Sequence, residues 1–406
     1  MTRTFGATAL RASLSVLLLG GGCAKVIGID ESETRVQCVS DADCMNGLGC
    51  INGSCACVHD CGDAGGSGAS NQTEQSCEET ASSPCLCDLA DRPVTGVPRC
   101  TAACGADGKC VLPPSCNGLL SKCGEHLGTS CCQSLPVPGG DFLRSCGESC
   151  QFLCDDDHIY PATISTFSLD TFEVTVGRFR LFMATYERVK PSAGAGKNPN
   201  NPDDLGWDST WDAYLPETRQ DLANNLVKEC EDPGVPMWTE EPDAQENRPI
   251  NCVSWYVAQA FCIWDGGRLP TRTEWNYAAA GGDEQRYYPW SKAVEDIGPE
   301  YAVYQPYDGP PVTMPDAVGA HPLGAGRWGH NDMGGNVAEW VWDGFEPCYS
   351  TPTACDDCGT TLGIDPKILQ GGDFSDEPSS VAVDARGGDA GLAIRARYGF
   401  RCARDL

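Results

Sequence analysis

Apolar residues recur at helical spacing from residue 253 to residue 264, where Val253, Val257, Phe261 and Trp264 fall on one stripe, which predicts an amphipathic helix. Gly266-Gly267 follows as a stop, since glycine enters the left-handed conformation of a helix C-cap without strain. A second helix is predicted just beyond. Thr271 and Glu274 form a capping box that satisfies two orphan backbone N–H groups, and Gly281-Gly282 ends the run. Upstream, Thr175 reads as the N-cap of a helix that buries Phe179, Phe182, Met183 and Tyr186. Residues 160–167 are β-rich, and the Pro, Asn, Gly and Asp content of residues 192–208 predicts a long loop. Helices, short strands and long loops together predict an α+β fold with much irregular loop.

The front of the chain has a different pattern. Arg3 and Arg11 precede the apolar run Leu14-Ser15-Val16-Leu17-Leu18-Leu19, and Gly20-Gly21-Gly22 and Cys23 follow. This reads as a secretory signal over residues 1–22, too short to span a bilayer. A cysteine directly after such a segment resembles a bacterial lipobox, although Gly20 stands where lipoboxes usually place Leu. The resemblance implies that Cys23 is acylated and becomes the mature N-terminus; the alternative is an ordinary secreted protein with Cys23 in a disulfide. Twenty of the 27 cysteines lie within the first 154 residues, too many for a reducing cytosol and not at zinc-finger spacing, so disulfides are predicted. Removing Cys23 leaves an even 26. Residues 38–61 carry too little apolar material for a core, and residues 62–76 read as a flexible Gly/Ser-rich linker. Residues 23–115 are therefore a disulfide-rich arm with linkers, and the folded domain is predicted over residues 116–406. The adjacent Cys131 and Cys132 are expected to pair with different partners.

Composition narrows the function. With 57 acidic against 28 basic residues the chain carries net charge -29, so nucleic acid and anionic lipid repel it as a whole. Any membrane attachment must come from a lipid anchor and not from charge.

Longer motifs carry a resemblance. Val253-Ser254-Trp255, Gly267-Arg268-Leu269-Pro270-Thr271 and Glu274-Trp275, the run from Phe167 to Thr175, Gly334-Gly335-Asn336-Val337-Ala338-Glu339-Trp340, Gly371-Gly372 and Gly399-Phe400-Arg401-Cys402 stand in order. Over residues 135 to 404 they strongly resemble the formylglycine-generating enzyme (sulfatase-modifying factor) family. The resemblance implies that family's C-type-lectin-like fold behind the arm, with Val137 to Phe142 as the opening strand. It also implies a bond from Cys262 to Cys402; a bond from Cys230 to Cys252 is expected from their shared flank before the first predicted helix.

Chemistry is expected in two stretches. In residues 329–340, carboxylates alternate with glycines, and hard oxygen donors at such spacing suit calcium. By resemblance the ligands would be the side chains of Asp332 and Glu339 and the carbonyls of Gly335 and Val337; the alternative is an acidic turn in which Glu339 pairs with an arginine. The family's other calcium site is doubtful, because Val303 stands where an Asn is usual. Catalytic members bind Cu(I) through two cysteines after the double glycine; here those positions hold Asp376 and Val381, and the family serine falls on Asp373. Carboxylate is a poor ligand for Cu(I) and valine is none, so copper is not expected. The single CxxC, Cys355 and Cys358, reads as a disulfide, and the five histidines show no metal-ligand spacing. The expectation is a noncatalytic pseudoenzyme, a lipoprotein of the bacterial cell envelope, periplasmic or exposed on the outer membrane, that binds a protein, peptide or glycan. The rivals are a formylglycine-generating oxidoreductase and an enzyme of altered metal chemistry using Asp373, Asp376 and Glu377.

Overall fold

The computed structural model describes residues 113–405 apart from 118, 120–121, 125–127, 145–159, 189, 231–234, 346–353 and 360–364, together with the strands Gly49–Ile51, Ser54–Ala56, Ala103–Cys104 and Cys110–Val111. The signal segment, Cys23 and nearly all of the arm lie outside the described residues. The chain divides into two units, Met1–Glu78 with Pro84–Arg99, and Glu79–Ser83 with Cys100–Leu406. In the first, Gly49–Ile51 pairs antiparallel with Ser54–Ala56. The second carries the motifs.

Its helices follow local rules. Helix α1 spans Val176–Thr185, with the Thr175 side chain accepting from the Arg178 N–H. Helix α2, Arg219–Val227, opens on a capping box of Thr218 and Asp221, a signal legible in the sequence beside the predicted loop. Helix α3 spans Trp255–Trp264 and starts two residues later than the apolar stripe, because Ser254 caps it by accepting from the Val257 N–H. Helix α4, Arg272–Ala280, has both halves of the Thr271–Glu274 box in place and ends on Gly281 at φ 67°.

The expected opening strand from Val137 to Phe142 is two strands, Ser134–Val137 and Gly140–Leu143, in different sheets. The chain must bend at Pro138-Gly139, where it runs so close to its neighbour that a Cβ on Gly139 would lie 2.4 Å from the Ile164 carbonyl oxygen. The β-rich segment likewise resolves into Pro161–Ile164 and Phe167–Asp170. Ser134–Val137, Phe167–Asp170 and Ala403–Asp405 form one antiparallel sheet. A four-stranded sheet orders Arg386–Asp389, Lys367–Gln370, Ala338–Gly344 and Tyr398–Gly399, the last pairing parallel. Every residue of the strand Ala338–Gly344 is buried, so its Glu339 and Asp343 require partners.

The core against α1 and α3 is aromatic: Phe179 stacks on Phe261 at 5.6 Å, with Phe182 and Phe400 edge-on to Phe261. Cys262 is bonded to Cys402, 140 residues away, and Cys230 to Cys252, 22 residues away. Loops of these lengths give about 5 and about 3 kcal/mol in the chain-entropy view. Cys116 is bonded to Cys132 and Cys123 to Cys131, so the adjacent pair takes different partners.

Two arginines and two aspartates close a buried ring. Arg178 Nη1 donates to Asp170 at 2.8 Å and Nη2 to Asp265 at 2.6 Å; Arg404 donates to Asp265 at 2.8 Å and to Asp170. Ser134 and Ser115 add donors to the same carboxylates. Burial alone would raise the Asp170 pKa, but the Arg178 and Arg404 charges outweigh it and hold the carboxyl well below its usual range. Its stabilisation is therefore full above the unfolded value of about 3.9 and is lost as pH falls toward the folded value. Asp170→Asn is expected to cost about 3–5 kcal/mol at pH 7 and to flatten the loss of stability between pH 5 and pH 3, measured by chemical denaturation; an unchanged slope would contradict this account.

Candidate functional site

After the strand Lys367–Gln370 the chain turns on Gly371 and Gly372, at φ 88° and 66°. Both lie in the region that favours glycine. The return is tight, since a Cβ on Gly372 would meet the Ser380 carbonyl oxygen at 2.4 Å. The loop that follows is fastened by backbone: Phe374 N–H donates to the Asn336 carbonyl at 3.0 Å, and Gln305 N–H to the Asp376 carbonyl at 2.8 Å.

Within it, Asp373 is buried and accepts at Oδ1 from the Ser375 N–H at 2.8 Å and the Ser375 hydroxyl at 2.6 Å. Its own N–H donates to Asp376 Oδ2 at 3.1 Å. Asp376 thus caps its own turn. Burial first, then the Asp376 charge, pushes the Asp373 pKa up to about 6. Val381 is fully buried among Tyr288, Ala302, Tyr304 and Ala382. Glu377 is exposed. Oxygen and hydrocarbon fill the positions in question, a donor set that does not fit Cu(I). Among the described residues, no group of three or more His, Cys, Asp or Glu is placed to hold a metal ion.

Beside this loop, Tyr288, Trp290 and Tyr301 stack face to face at 5.1 and 5.6 Å, and Trp290 and Tyr301 are half-buried. A cavity of about 460 Å³ lies elsewhere, lined by α2 residues such as Asp221 and Asn225 and by Leu392 and Ile394.

The second stretch is an acidic turn. Asp332, Gly335 and Asn336 take φ of 57°, 79° and 63°, and a Cβ on Gly335 would meet the Val303 carbonyl oxygen at 2.3 Å. Asp332 Oδ2 accepts from the Gly319 N–H at 2.6 Å. Glu173 accepts from Asn336 Nδ2 at 2.6 Å and from the Val337 N–H at 3.1 Å. Glu339 accepts from Arg401 Nε and Nη2 at 2.7–2.9 Å and from Trp275 Nε1 at 2.9 Å. Arg401 also donates to the carbonyls of Asp170, Thr171 and Asn331.

Sequence reading placed Asp332, Gly335, Val337 and Glu339 together and held open a pairing of Glu339 with an arginine, which proves to be Arg401; it missed Glu173. The Phe167–Thr175 motif contains that glutamate; nothing in its spacing says that it reaches residue 336. Three buried carboxylates surround one guanidinium. Burial, then Asp332 and Glu339, raises the Glu173 pKa well above the usual carboxylate range, and burial pushes Asp332 up to about 6. The donors are hard oxygens and the cluster is negative, which suits calcium in kind; Glu339, however, is already shared with Arg401.

Two histidines are among the described residues. His330 is buried, and burial followed by the Arg401 charge lowers its pKa to about 3, keeping it neutral. His321 bonds to Asp316 at 3.1 Å; the other three lie outside the described residues.

The profile of the family described as "Sulfatase-modifying factor enzyme 1-like domain" matches residues 123–406. The chain is 32% identical over 178 residues to the formylglycine-generating enzyme of Mus musculus, covering 41% of this chain and 48% of that one. It is 32% identical over 177 residues to the hercynine oxygenase of Mycobacterium tuberculosis, covering 40% and 38%. It thus spans less than half the length of these two relatives. It is also 27% identical over 292 residues to the inactive Cα-formylglycine-generating enzyme 2 of Mus musculus, covering 66% and 84%.

Replacing Arg401 by Gln strands three buried carboxylates without their guanidinium. The expected loss is about 3–5 kcal/mol in chemical denaturation at pH 7; stability equal to that of the wild type would show that Glu339 is balanced by another group.

Proposed function

Since the chain belongs to the sulfatase-modifying factor family, which the match over residues 123–406 establishes, we propose that it is a noncatalytic binding or scaffold protein on that family's frame, working at the bacterial cell envelope. One observation carries the reading: the two positions on which the resemblance to the family places its copper cysteines hold Asp376, whose carboxylate caps its own turn, and Val381, sealed in an apolar cluster. Neither offers a soft donor, so no step of copper-dependent oxygen chemistry is assigned. Fold does not fix activity, and relatives of this family carry different names for different chemistries.

The aromatic stack of Tyr288, Trp290 and Tyr301 beside the acidic loop supports binding of a protein, peptide or glycan there, because flat rings and carboxylates suit both apolar and hydrogen-bonding groups. Calcium is proposed as a structural ion of the acidic turn, held by Asp332, the carbonyls of Gly335 and Val337, and Glu339 shared with Arg401. Support comes from the hard oxygen donors and from carboxylates that outnumber the guanidinium. The ion would supply charge compensation only.

An envelope location rests on the signal-like residues 1–22 and the cysteine count. In this reading, Cys23 is the acylated mature N-terminus and the lipid is the membrane contact.

Purified protein is expected to contain calcium and no copper by elemental analysis, and a peptide bearing Cys-x-Pro-x-Arg, given Cu(I) and oxygen, is expected to stay unmodified. Aldehyde on that peptide would overturn the noncatalytic reading, and a chelator that leaves the melting temperature unchanged would overturn the calcium. Mass spectrometry of the mature N-terminus is expected to find Cys23 first and acylated; an unmodified Cys23 would remove the anchor.

A further inference from the structure

A pair of cysteines lies apart from both acidic loops. The short strand Cys355–Asp356 pairs in parallel with Pro161–Ile164, Cys355 standing opposite Ala162. Asp357 clamps the turn: its two carboxylate oxygens accept from the Ser165 N–H at 2.7 Å and the Ser165 hydroxyl at 2.6 Å, while its N–H donates to the Thr163 carbonyl. So fixed, the Cys355–Cys358 disulfide sits over the first turn of α4. The Thr273 hydroxyl is 3.5 Å from Cys358 Sγ, and a Cβ on Gly359 would touch the Thr271 methyl at 2.8 Å. From the other side, Arg144 Nη1 donates to the same sulfur at 3.3 Å. Both cysteines are partly accessible, whereas Cys262 and Cys402 are sealed in the core.

The Thr273 and Arg144 contacts fall on one sulfur. A guanidinium, a hydroxyl and the positive end of a nine-residue helix favour Cys358 as thiolate. On α4, Glu274 is held by Arg268 at 2.7 Å and Arg272 is buried. Asp357 is spent on Ser165, Asp343 accepts from the Arg272 N–H at 2.6 Å, Asp141 accepts from the Thr163 hydroxyl, and Asp356 is exposed to solvent. The strand Pro161–Ile164 brings no charge. In thiol–disulfide exchange the better-stabilised thiolate leaves.

We propose that Cys355 and Cys358 form a thiol–disulfide exchange site for cysteine-bearing polypeptides. A client thiolate attacks Cys355 Sγ; the new client–Cys355 bond forms as the Cys355–Cys358 bond breaks, and Cys358 leaves as thiolate beside Arg144. A second client thiol gives its proton to solvent and attacks the client sulfur of the mixed disulfide, releasing Cys355 as thiolate. The client is oxidised by two electrons to a disulfide and the pair is reduced to the dithiol. Exchange with a low-molecular-weight disulfide runs the same steps in reverse and restores the bond.

The test uses the whole protein in graded mixtures of reduced and oxidised glutathione, quenched, alkylated and mapped by mass. The Cys355–Cys358 peptides are expected to open at a roughly tenfold lower reducing ratio than Cys262–Cys402. Alkylation of Cys358 in the opened pair is expected to titrate below the free-thiol value of about 8.5, to move toward that value in Arg144→Leu and to return in Arg144→Lys. Should Arg144→Leu fail to fold, Thr273→Val is expected to shift the titration the same way by less. Cys358→Ser is expected to trap a test peptide that carries a disulfide, as an adduct on Cys355. Opening only together with Cys262–Cys402, a titration at the free-thiol value, or no trapped adduct would each overturn the proposal.

Discussion

The buried ring of Arg178, Arg404, Asp170 and Asp265 is the constraint on which the rest of the domain hangs. Asp170 ends one strand, Arg178 sits in α1, Asp265 caps α3 and Arg404 belongs to the last strand. Four elements are thereby fixed by charges that cannot be left unpaired without a penalty of several kcal/mol. The Cys262–Cys402 bond runs beside the ring and repeats the tie between α3 and the C-terminal strand in covalent form. With that end of the chain anchored, Phe400 reaches the aromatic core and Arg401 reaches Glu339.

The acidic turn depends on this in sequence. Arg401 binds carbonyls at Asp170, Thr171 and Asn331 as well as Glu339, so one guanidinium holds the turn against the strand that also carries the ring. Asn336 then fastens Glu173 with its side chain and Phe374 with its carbonyl. The loop bearing Asp373, Asp376 and Val381 therefore keeps its place through glycines and backbone hydrogen bonds. Its side chains are free to change chemistry without loss of the frame, and a hydrocarbon at position 381 is stabilised by the rings around it. An acid and a hydrocarbon at positions 376 and 381 and a domain that stays folded are compatible for this physical reason.

The start of α4 shows one element serving two ends. Thr271 and Glu274 cap it, and Arg268 grips Glu274 through both carboxylate oxygens at 2.7 Å. That rigidity presents Thr273 to Cys358 on one side while Trp275 reaches Glu339 on the other. The spacing of the cysteine pair in an Asp- and Thr-rich loop predicts a disulfide, and the structure contains it; its neighbours Arg144 and Thr273 lie 214 and 85 residues away.

The caps at Thr175 and Thr271, the stop at Gly281, the double glycine before Asp373 and the identities of Asp376 and Val381 were legible in the sequence, because each rests on residues within one turn of each other or on a motif read in register. The split of the opening segment at Gly139 was not, since the Ile164 carbonyl that forces it comes from a later strand. Glu173 and Arg401 likewise joined the acidic turn only in three dimensions, across 163 and 62 residues. Periodicity and spacing report which face a residue takes on its own element; which buried charge meets which is decided when elements distant in sequence pack and exclude water, so only the tertiary structure fixed the ring, the shared Glu339 and the setting of Cys358.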